Sequence, residues 1–416
     1  MKILAKKIIS KIKNAIKKPI SIIKDIRSAK FLKRLSKKSI GKNGVIKVAF
    51  LVFEPETWEQ QECVYSKLKN DSRFKVDVIV IPNFDRNFKV EKTYGNEKEF
   101  FKERCGEIIL AYDENGNLYD LKKAGYDYIF YEDQYNSHYP KEYNTYKVCR
   151  YSRICCIPYG FTQGRTFLGC FTKDFFRGVY CLFAQNDSVK EYMIEMFPKS
   201  YKKGFRRFES LGYPVLEKYF ELKNVTVKDK ILWTPRWSYD KKTGGSHFLE
   251  FKDGFKDIKK TFPGTEVVFR PHPMMFTEFV KKGYLTQTEA DDYLALLKNN
   301  GIIKSVNGSV FDDFKDAEIL ITDFSSIIIF FFLSGRPIIY SPLDTDFNKD
   351  YTMIIDSAYV ADTFEEVESY LKKIKNGDDS MKEKREKVIE IFYKKHHGSA
   401  DRIINYLKET VGGETK

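Results

Sequence analysis

The sequence predicts an α/β protein with two separate domains, each built on a parallel sheet covered by helices. Apolar runs typical of buried strands alternate with helix-like segments along most of the chain. The alternation is interrupted around residues 217–229 and then resumes, which indicates two domains joined by a linker. Hydrophobic residues make up 42% of the 416 residues and aromatic residues 16%, enough apolar side chain for two cores.

The composition excludes several classes of protein. The longest apolar run, 327–333, has seven residues, whereas a bilayer needs about 20. The seven cysteines include no C-x-x-C pair, which argues against a zinc ribbon or a disulfide framework and fits a reducing cytosol. The sequence has no Walker A loop and no G-x-G-x-x-G fingerprint.

The first 43 residues carry the whole net charge. They hold 15 lysines and arginines and one acid, Asp25, so the net charge of +14 belongs to this segment. Ile8, Ile12 and Ile16 recur every four residues among lysines, which is typical of a basic amphipathic helix at a membrane interface, and Pro19 is predicted to end it. An anionic membrane surface is the expected partner, and a disordered lysine-rich tail is the alternative. With one aromatic residue, the segment offers little for stacking bases, so no nucleic-acid partner is expected.

Four segments are predicted: the tail 1–43, an N-terminal domain 44–216, a linker 217–229, and a C-terminal domain 230–416 that includes the final helix. The strands expected in the N-terminal domain are 45–53, 74–81, 126–131, 153–157 and 179–184, and its helices include 57–68 and 188–196. The strands expected in the C-terminal domain are 231–234, 266–270, 302–305, 318–322 and 337–340. Its expected helices are 248–261, 288–298, 325–334, 364–375 and 381–409, the last broken at Gly398.

The clearest candidate site is the stretch DAEILITDFSSIIIFFFLSGRPIIY. A strand leads through Asp323 to Ser325 and Ser326, which are predicted to open an apolar helix that ends at Gly335. Two hydroxyls and the N–H groups of a helix N-terminus at a strand's carboxyl end indicate an anion site. The alternative is that Ser325 only caps the helix.

Two further motifs follow strands of the same domain. VVFRPHP places Arg270 and His272 at a strand end, where arginine could pair with phosphate and histidine could exchange a proton near neutral pH. The alternative for His272 is a structural histidine bonded to loop carbonyls. WTPRWSYDKKTGGSH adds Arg236 and a Gly-Gly-Ser-His turn, in which Gly245 would let the backbone approach a ligand. Ser246 and His247 complete this turn.

Candidates for a general base lie in the N-terminal domain. Glu54 and Glu56 follow the first strand, and Tyr159 with Gly160 follows the strand 153–157. A solvated turn is the alternative for each. Asp344-Thr-Asp346 has the D-x-D form of some metal sites, but one such triplet often arises by chance, and no metal is expected.

Read together, T-P-R-W, R-P-H-P, I-T-D-F-S-S and R-P-I-I-Y, in this order, resemble the CDP-glycerol glycerophosphotransferase family, bacterial enzymes that build teichoic acids and related capsular polymers. The resemblance covers about residues 231–340. It implies a GT-B fold, with two Rossmann-like domains facing a cleft, an acceptor side in the N-terminal domain and a donor nucleotide site in the C-terminal domain. Peripheral membrane attachment on the cytoplasmic face, lipid-linked acceptors and independence from metals are also implied. The resemblance implies that Ser325, Ser326 and His272, with Arg270 beside them, handle the donor diphosphate. The motifs themselves add five candidates for binding the donor diphosphate or nucleotide, which are Asp323, Arg236, Gly245, Ser246 and His247.

The sequence departs from the family in one motif. Many members carry His-Gly-Thr in the N-terminal domain, where this chain has Tyr159-Gly160-Phe161, and no histidine lies between His138 and His247. Glu54, Tyr159 and, as a substitute, His138 are the candidate bases.

The expected function is transfer of glycerol phosphate, or a related polyol phosphate, from a CDP-activated donor to a hydroxyl of a membrane-linked or capsular glycan, with release of CMP. The alternatives are a GT-B glycosyltransferase of capsule or lipopolysaccharide assembly that uses a nucleotide sugar, and a membrane-bound scaffold without turnover.

Overall fold

The structure is a computed structural model that describes residues 2–41, 44–83, 93–240, 245–305, 309–342 and 346–409, with residues 2–18 and 166 described by their backbone alone. The strands are β1 (Ile46–Val52), β2 (Phe74–Val80), β3 (Ile109–Leu110), β4 (Tyr128–Tyr131), β5 (Arg153–Cys156), β6 (Val179–Phe183), β7 (Arg207–Glu209), β8 (Lys230–Thr234), β9 (Glu266–Phe269), β10 (Ile303–Lys304), β11 (Ile319–Thr322), β12 (Ile338–Tyr340) and β13 (Tyr359–Val360).

The helices are α1 (Lys2–Ser36), α2 (Glu59–Lys69), α3 (Glu97–Cys105), α4 (Leu121–Ala124), α5 (Thr145–Val148), α6 (Lys173–Phe176), α7 (Asp187–Met196), α8 (Pro198–Lys202), α9 (Leu216–Tyr219), α10 (Phe248–Phe255), α11 (Ile258–Thr261), α12 (Met275–Lys281), α13 (Gln287–Asn299), α14 (Val310–Phe314), α15 (Ile328–Phe332), α16 (Lys349–Ile355), α17 (Phe364–Lys375), α18 (Lys382–His396) and α19 (Ser399–Glu409). Among the described helices, none is long and apolar enough to cross a membrane.

The chain forms two compact units, each with its own parallel sheet. Unit 1 comprises Met1–Tyr159, Leu168–Pro214 and Gly398–Lys416, and unit 2 comprises Gly160–Phe167 and Val215–His397. The sheet of unit 1 has the strand order β3-β2-β1-β4-β5-β6-β7, and that of unit 2 has the order β10-β9-β8-β11-β12-β13. All strand pairs are parallel. Both orders start 3-2-1-4-5-6, the order of the Rossmann fold, so the predicted fold class is confirmed.

In unit 1, the helix α1 is longer than predicted, because Pro19 does not end it. It continues through Pro19, because tertiary contacts hold the part of the helix that follows the proline. Arg177 donates hydrogen bonds to Asp25 (2.8 Å) and to Ser21 (2.8 Å). Leu32 is fully buried on the same side. Such contacts offset the roughly 3 kcal/mol that an interior proline costs a helix. The isoleucines of the predicted amphipathic pattern lie among residues whose side chains are outside the description, and that pattern stays a prediction.

The final helix α19 belongs to unit 1, whereas the predicted boundaries placed it in the C-terminal domain. It contacts α2, where Lys67 forms an ion pair with Asp401 (2.8 Å). The Tyr406 ring packs edge-on against Phe183, with ring centroids 5.9 Å apart. The helix has a buried apolar stripe that includes Ile403, and this stripe completes the core of unit 1.

Unit 2 includes two segments that were predicted elsewhere. The expected linker is packed into it, since Leu222 is fully buried and its carbonyl accepts a hydrogen bond from Arg336 (2.7 Å). The segment Gly160–Phe167, which the sequence placed in the N-terminal domain, also joins unit 2. There the Asn348 side chain donates to the Thr162 carbonyl (2.6 Å).

The ten predicted strands are all present, with small shifts at their ends. The predicted helix 364–375 and the break at Gly398 are also confirmed. Two helices are shorter than predicted. The segment 248–261 divides into α10 and α11, and 325–334 contains a helix only over Ile328–Phe332.

Candidate active site

The strand orders fix where ligands can bind. In sheets of this kind, ligands bind outside the carboxyl ends of the strands at the point where the order reverses. This point lies between β1 and β4 in unit 1 and between β8 and β11 in unit 2. Most of the predicted site residues directly follow these strands or their neighbours. Glu54 follows β1, Arg236 follows β8, His272 follows β9, and Asp323 follows β11.

Asp323 organises the loops at the switch point of unit 2. Its carboxylate accepts hydrogen bonds from the backbone N–H of Arg236 (2.7 Å), the Ser246 hydroxyl (2.9 Å) and the backbone N–H of His247 (3.1 Å). Burial raises the pKa of Asp323 to about 7, although these three bonds favour the carboxylate. Asp323 and Ser246, predicted to bind the donor, are buried and engaged with each other. The described contacts of Asp323 thus hold the loops in place, and direct binding of the donor by either residue stays a prediction. Gly245 turns the chain before Ser246 with a φ of 70°.

Arg236 presents a cation beside this organised loop. Its guanidinium carbon lies 4.6 Å from the centroid of the Phe324 ring and 5.8 Å from that of the Phe167 ring. The same guanidinium donates to the Phe324 carbonyl (3.2 Å). The Phe167 and Phe324 rings are stacked, with centroids 4.6 Å apart. The aromatic rings therefore hold the arginine side chain in one place at the end of β8.

His272 lies near Arg236 and is set up as a hydrogen-bond donor. The backbone N–H of Met274 donates to Nδ1 of His272 (3.2 Å), which assigns the proton of the neutral ring to Nε2. The residue is exposed to solvent, yet the protein packed around it and the positive charge of Arg236 lower its pKa to about 4. At neutral pH the ring is therefore uncharged and offers Nε2–H, so its predicted proton exchange near neutral pH does not fit this environment.

Ser325 and Ser326 form a turn between β11 and α15 and are half-buried. The Ser325 hydroxyl accepts a long hydrogen bond from the backbone N–H of Ile327 (3.4 Å), and its carbonyl accepts one from the Tyr351 hydroxyl. Because α15 has only five residues, the helix dipole predicted to favour an anion is small. The hydroxyls remain the groups of this turn that could bind an anion.

Arg270 has a different environment from the one the sequence suggested. Its guanidinium forms an ion pair with Asp313 and donates to the Ser305 hydroxyl (3.1 Å). The Ser305 hydroxyl in turn donates to Asp313 (2.7 Å). These contacts tie the ends of β9 and β10 to α14. The arginine that the loop of unit 2 presents beside His272 is Arg236.

In unit 1, Glu54 lies at the carboxyl end of β1 and Asn83 donates to it (3.2 Å). Burial and a hydrogen bond with Glu56 raise the pKa of Glu54 to about 8. Its backbone N–H donates to the fully buried Glu132 at the end of β4 (3.0 Å). Glu54 is therefore mostly protonated at neutral pH, which weakens it as a base.

Next to Glu132 the structure pairs His138, which the sequence offered as a substitute base, with Asp133, which the motif analysis did not single out. Asp133 and His138 are both buried, and the Asp133 carboxylate contacts Nδ1 of His138. The Tyr135 ring lies 5.1 Å from the His138 ring and 6.4 Å from the ring of Tyr159, measured between centroids. The signal in the sequence was the polar run after the strand 126–131, but no periodicity indicates that its loop turns the histidine back onto the aspartate.

Within the described ranges, no three histidine, cysteine, aspartate or glutamate side chains come together as a metal site would require. Asp344 of the D-x-D triplet lies outside the described residues. The expectation that no metal is needed stays a prediction.

Comparisons with solved structures support the fold. A UDP-N-acetylglucosamine 2-epimerase matches with a TM-score of 0.57 and 10% identity, over 89% of this chain and 97% of that one. The UDP-GlcNAc 2-epimerase from Neisseria meningitidis, bound to UDP-GlcNAc, matches with a TM-score of 0.53 and 11% identity, over 88% and 100%. The wall teichoic acid polymerase TagF matches with a TM-score of 0.51 and 14% identity, over 96% and 98%. At these identities the likeness concerns the fold alone.

Sequence comparison identifies the family. No curated protein sequence matches the chain. The family model described as CDP-Glycerol:Poly(glycerophosphate) glycerophosphotransferase matches residues 185–409, more than half of the 416 residues. The match includes β8, β9 and β11, together with the residues that follow them at the switch point of unit 2. The resemblance inferred from the four motifs is confirmed: the chain belongs to the CDP-glycerol:poly(glycerophosphate) glycerophosphotransferase family and is a transferase.

Proposed function

We propose that this enzyme transfers glycerol phosphate, or a related polyol phosphate, from a CDP-activated donor to a hydroxyl of a teichoic-acid-like or capsular glycan and releases CMP. The observation that carries the proposal is the neighbouring placement of Arg236 and His272 at the switch point of unit 2, with the hydroxyls of Ser325 and Ser326 following β11. A fixed cation, a neutral N–H donor and two hydroxyls suit a diphosphate.

The reaction would be an in-line displacement at phosphorus. The acceptor hydroxyl oxygen forms a bond to the β-phosphorus of the donor while the bond from that phosphorus to the oxygen of CMP breaks. CMP leaves with the electron pair, and the proton of the hydroxyl is released to a base or to solvent. Arg236 and Nε2–H of His272 would stabilise negative charge on the diphosphate. Because phosphoryl transfer needs positioning and charge stabilisation above all, these groups can act without changing their own protonation.

We propose that transfer proceeds without a metal ion. The fixed positive charge of Arg236, which acts on the neighbouring His272, would neutralise negative charge on the phosphate of the leaving CMP, the task that metal cations perform in many phosphoryl transfers. Full transfer activity after treatment with EDTA is the expected result. Loss of activity that added Mg²⁺ restores would contradict the proposal.

We propose that α1 holds the enzyme on the cytoplasmic face of an anionic bacterial membrane. Ile22, Ile23 and Ile26 are each about half exposed, and the exposed Arg27 and Lys30 continue the same side of the helix. Co-sedimentation of the full chain with phosphatidylglycerol vesicles, and not with phosphatidylcholine vesicles, is expected, together with weakening in an Ile22→Asn/Ile26→Asn variant. Equal binding of the variant and the wild type would contradict this role.

The donor is tested by thermal denaturation with CDP-glycerol, CDP-ribitol, CMP, UDP-sugars, GDP-mannose and CMP-sialic acid. A ligand at 100 times its Kd adds about 2.7 kcal/mol to the free energy of unfolding, which raises the melting temperature measurably. Stabilisation by the CDP-polyols and CMP is expected. Stabilisation by UDP- or GDP-sugars instead would favour the alternative, a glycosyltransferase that uses a nucleotide sugar.

A further inference from the structure

Three basic side chains of unit 1 gather around two aromatic rings. Phe31 of α1 and Tyr146 of α5 contact each other, with ring centroids 6.4 Å apart. Nζ of Lys24 lies 5.7 Å from the centroid of the Tyr146 ring. The guanidinium carbon of Arg150 lies 5.4 Å from the Tyr146 centroid and 5.7 Å from the Phe31 centroid. The guanidinium carbon of Arg34 lies 5.9 Å from the Phe31 centroid. Lys24, Arg34 and Arg150 form what we call the basic cluster.

The positive charges of the basic cluster are not paired with carboxylates. Among the described residues, no aspartate or glutamate forms an ion pair with any of its three members. Asp25, the acid of α1, pairs instead with Lys173 (2.9 Å) and Arg177 (2.8 Å). Like charges held close together repel one another, and the negative faces of the two rings offset only part of this repulsion. The basic cluster therefore favours a bound anion.

Contacts between two elements of unit 1 hold the basic cluster together. Arg34, in the last turn of α1, donates a hydrogen bond to the backbone carbonyl of Arg150, which follows α5. Leu32 and Leu35 are buried, so this turn of α1 is fixed to the unit. Arg34 and Arg150 are exposed and Lys24 is half-buried, which leaves the charged groups open to a ligand. Because the three groups already converge, binding costs less ordering of side chains.

The chemistry of the basic cluster suits phosphate groups. A guanidinium group donates two parallel hydrogen bonds to phosphate oxygens, and an ammonium group adds a compact charge. Three positive charges in one place also exceed what a single carboxylate would neutralise. They match a surface that carries many phosphates.

The surroundings of the basic cluster indicate that this surface is a membrane. Ile23, Arg27 and Arg34 are spaced four and seven residues apart, so they lie along one side of α1. Ile22, Ile23 and Ile26 are each about half exposed. Exposed apolar side chains beside cations are typical of a helix that lies in a membrane interface. A soluble polymer of phosphates would use the cations but would have no use for the isoleucines.

We propose that Lys24, Arg34 and Arg150 form a phosphate site that binds the headgroups of anionic phospholipids. The inference rests on the proposed attachment of α1 to an anionic membrane, and it adds a site to which the globular part of unit 1 contributes through Arg150. The two arginines donate N–H groups to phosphate oxygens, and Lys24 supplies a further charge. The exposed isoleucines of α1 enter the apolar layer beside the same headgroups. Together these contacts fix the orientation of unit 1 on the membrane.

The first test compares two double variants of the full-length protein by co-sedimentation with phosphatidylglycerol vesicles. Each basic side chain near an anionic leaflet contributes about fivefold to binding, so Arg34→Gln/Arg150→Gln should weaken binding about 30-fold. Lys122→Gln/Lys123→Gln removes the same charge from exposed side chains of α4 and is the matched control. Because salt screens charges that lie away from the vesicle, the control should bind within about twofold of the wild type. Equal weakening of both variants would show a diffuse attraction and would contradict the inference.

The second test replaces the same two arginines with lysine. Arg34→Lys/Arg150→Lys keeps the charge, but lysine lacks the planar group that pairs with two phosphate oxygens, so binding to the vesicles should fall at least about fivefold. Binding as tight as that of the wild type would show that charge alone acts there, which would overturn the phosphate site. This variant also decides the question if Arg34→Gln/Arg150→Gln does not fold.

The outcomes separate this inference from the proposed function, because vesicle binding is measured without donor or acceptor. If the wild type does not bind phosphatidylglycerol vesicles, the proposed membrane attachment and this inference are both wrong. If the wild type binds and both arginine variants bind equally well, only the phosphate site is wrong. If the wild type binds soluble poly(glycerol phosphate) more tightly than the vesicles, and the arginine variants lose that binding, the ligand is the polymer and the assignment to phospholipid headgroups is wrong.

Discussion

Replacing Asp323 with asparagine should change how the stability of unit 2 depends on pH. The native carboxyl is buried and has a pKa of about 7, whereas an aspartate in an unfolded chain has a pKa near 3.9. Between these two values the native state binds more protons than the unfolded state. The free energy of unfolding of the wild type therefore falls as the pH rises from about 4 to about 7. Asparagine does not titrate, so the variant lacks this contribution.

The size of the effect follows from the contacts of Asp323. The difference between the native and the unfolded pKa of Asp323 corresponds to about 4 kcal/mol in the free energy of unfolding. The wild type loses this stability progressively, relative to the variant, as the pH rises over this range. The substitution also has a cost, because asparagine has one acceptor oxygen where aspartate has two. Three donors need an acceptor there: the N–H of Arg236, the hydroxyl of Ser246 and the N–H of His247. Leaving a buried donor unpaired costs about 1–3 kcal/mol at every pH. The variant should thus be the less stable protein at pH 4.5 and should recover relative to the wild type by pH 7.5.

The assay is urea denaturation at pH 4.5, 5.5, 6.5 and 7.5, followed by tryptophan fluorescence. Of the three tryptophans, Trp58 lies in unit 1, whereas Trp233 and Trp237 lie in unit 2. In a Trp58→Phe background, the remaining tryptophan fluorescence therefore reports the unfolding of unit 2. A wild type that gains stability over the variant as the pH rises would show that the three hydrogen bonds outweigh burial and that the pKa of Asp323 is lowered, which would refute the reasoning.

Three further changes have defined outcomes. Gly254→Ala should destabilise unit 2 by about 1–3 kcal/mol, since an added Cβ would lie 2.0 Å from the Phe364 ring, while Gly264→Ala, where no atom lies within 4 Å, should leave the urea midpoint unchanged. His272→Ala should lower kcat/KM about 10- to 150-fold through the loss of a hydrogen bond of ~1.5–3 kcal/mol. Because its lowered pKa keeps His272 neutral above about pH 5, the ratio of wild-type to His272→Ala kcat/KM should stay constant between pH 6 and pH 8, and a ratio that rises towards low pH would contradict a neutral donor. Because burial keeps Glu54 mostly protonated, Glu54→Gln should keep kcat at pH 7 within about threefold of the wild type, and a loss of about 100-fold or more would assign the base to Glu54.

The regular elements of the fold were predictable because burial imposes a periodic pattern on them. The central strands of both sheets, such as β1 and β8, are apolar along most of their length and were found from sequence. The edge strands β3 and β13 have two residues each, which is too short for a periodic pattern of apolar residues to be recognised in the sequence. The path of α1 through Pro19 depends on Arg177, a residue far along the chain, and local propensity could not indicate it.

The sequence indicated where the site residues lie along the chain, but it did not indicate the environment and role of each one. The positions of Arg236, His272 and Asp323 after their strands followed from the sequence. Their environments did not, because the burial of Asp323 and the tautomer of His272 depend on contacts made in the folded chain. In the same way, Arg270 was expected at a phosphate, and the structure pairs it with Asp313, 43 residues away in sequence.

The central claim, that a polyol phosphate moves from a CDP-activated donor, is tested most directly by ³¹P NMR of CDP-glycerol incubated with the enzyme and a membrane-derived glycan acceptor. The account predicts that the diphosphate signals are replaced by those of CMP and of a phosphodiester on the acceptor, and that Arg236→Ala slows this conversion. Intact CDP-glycerol in the presence of an acceptor that is instead glycosylated from a UDP-sugar would contradict it.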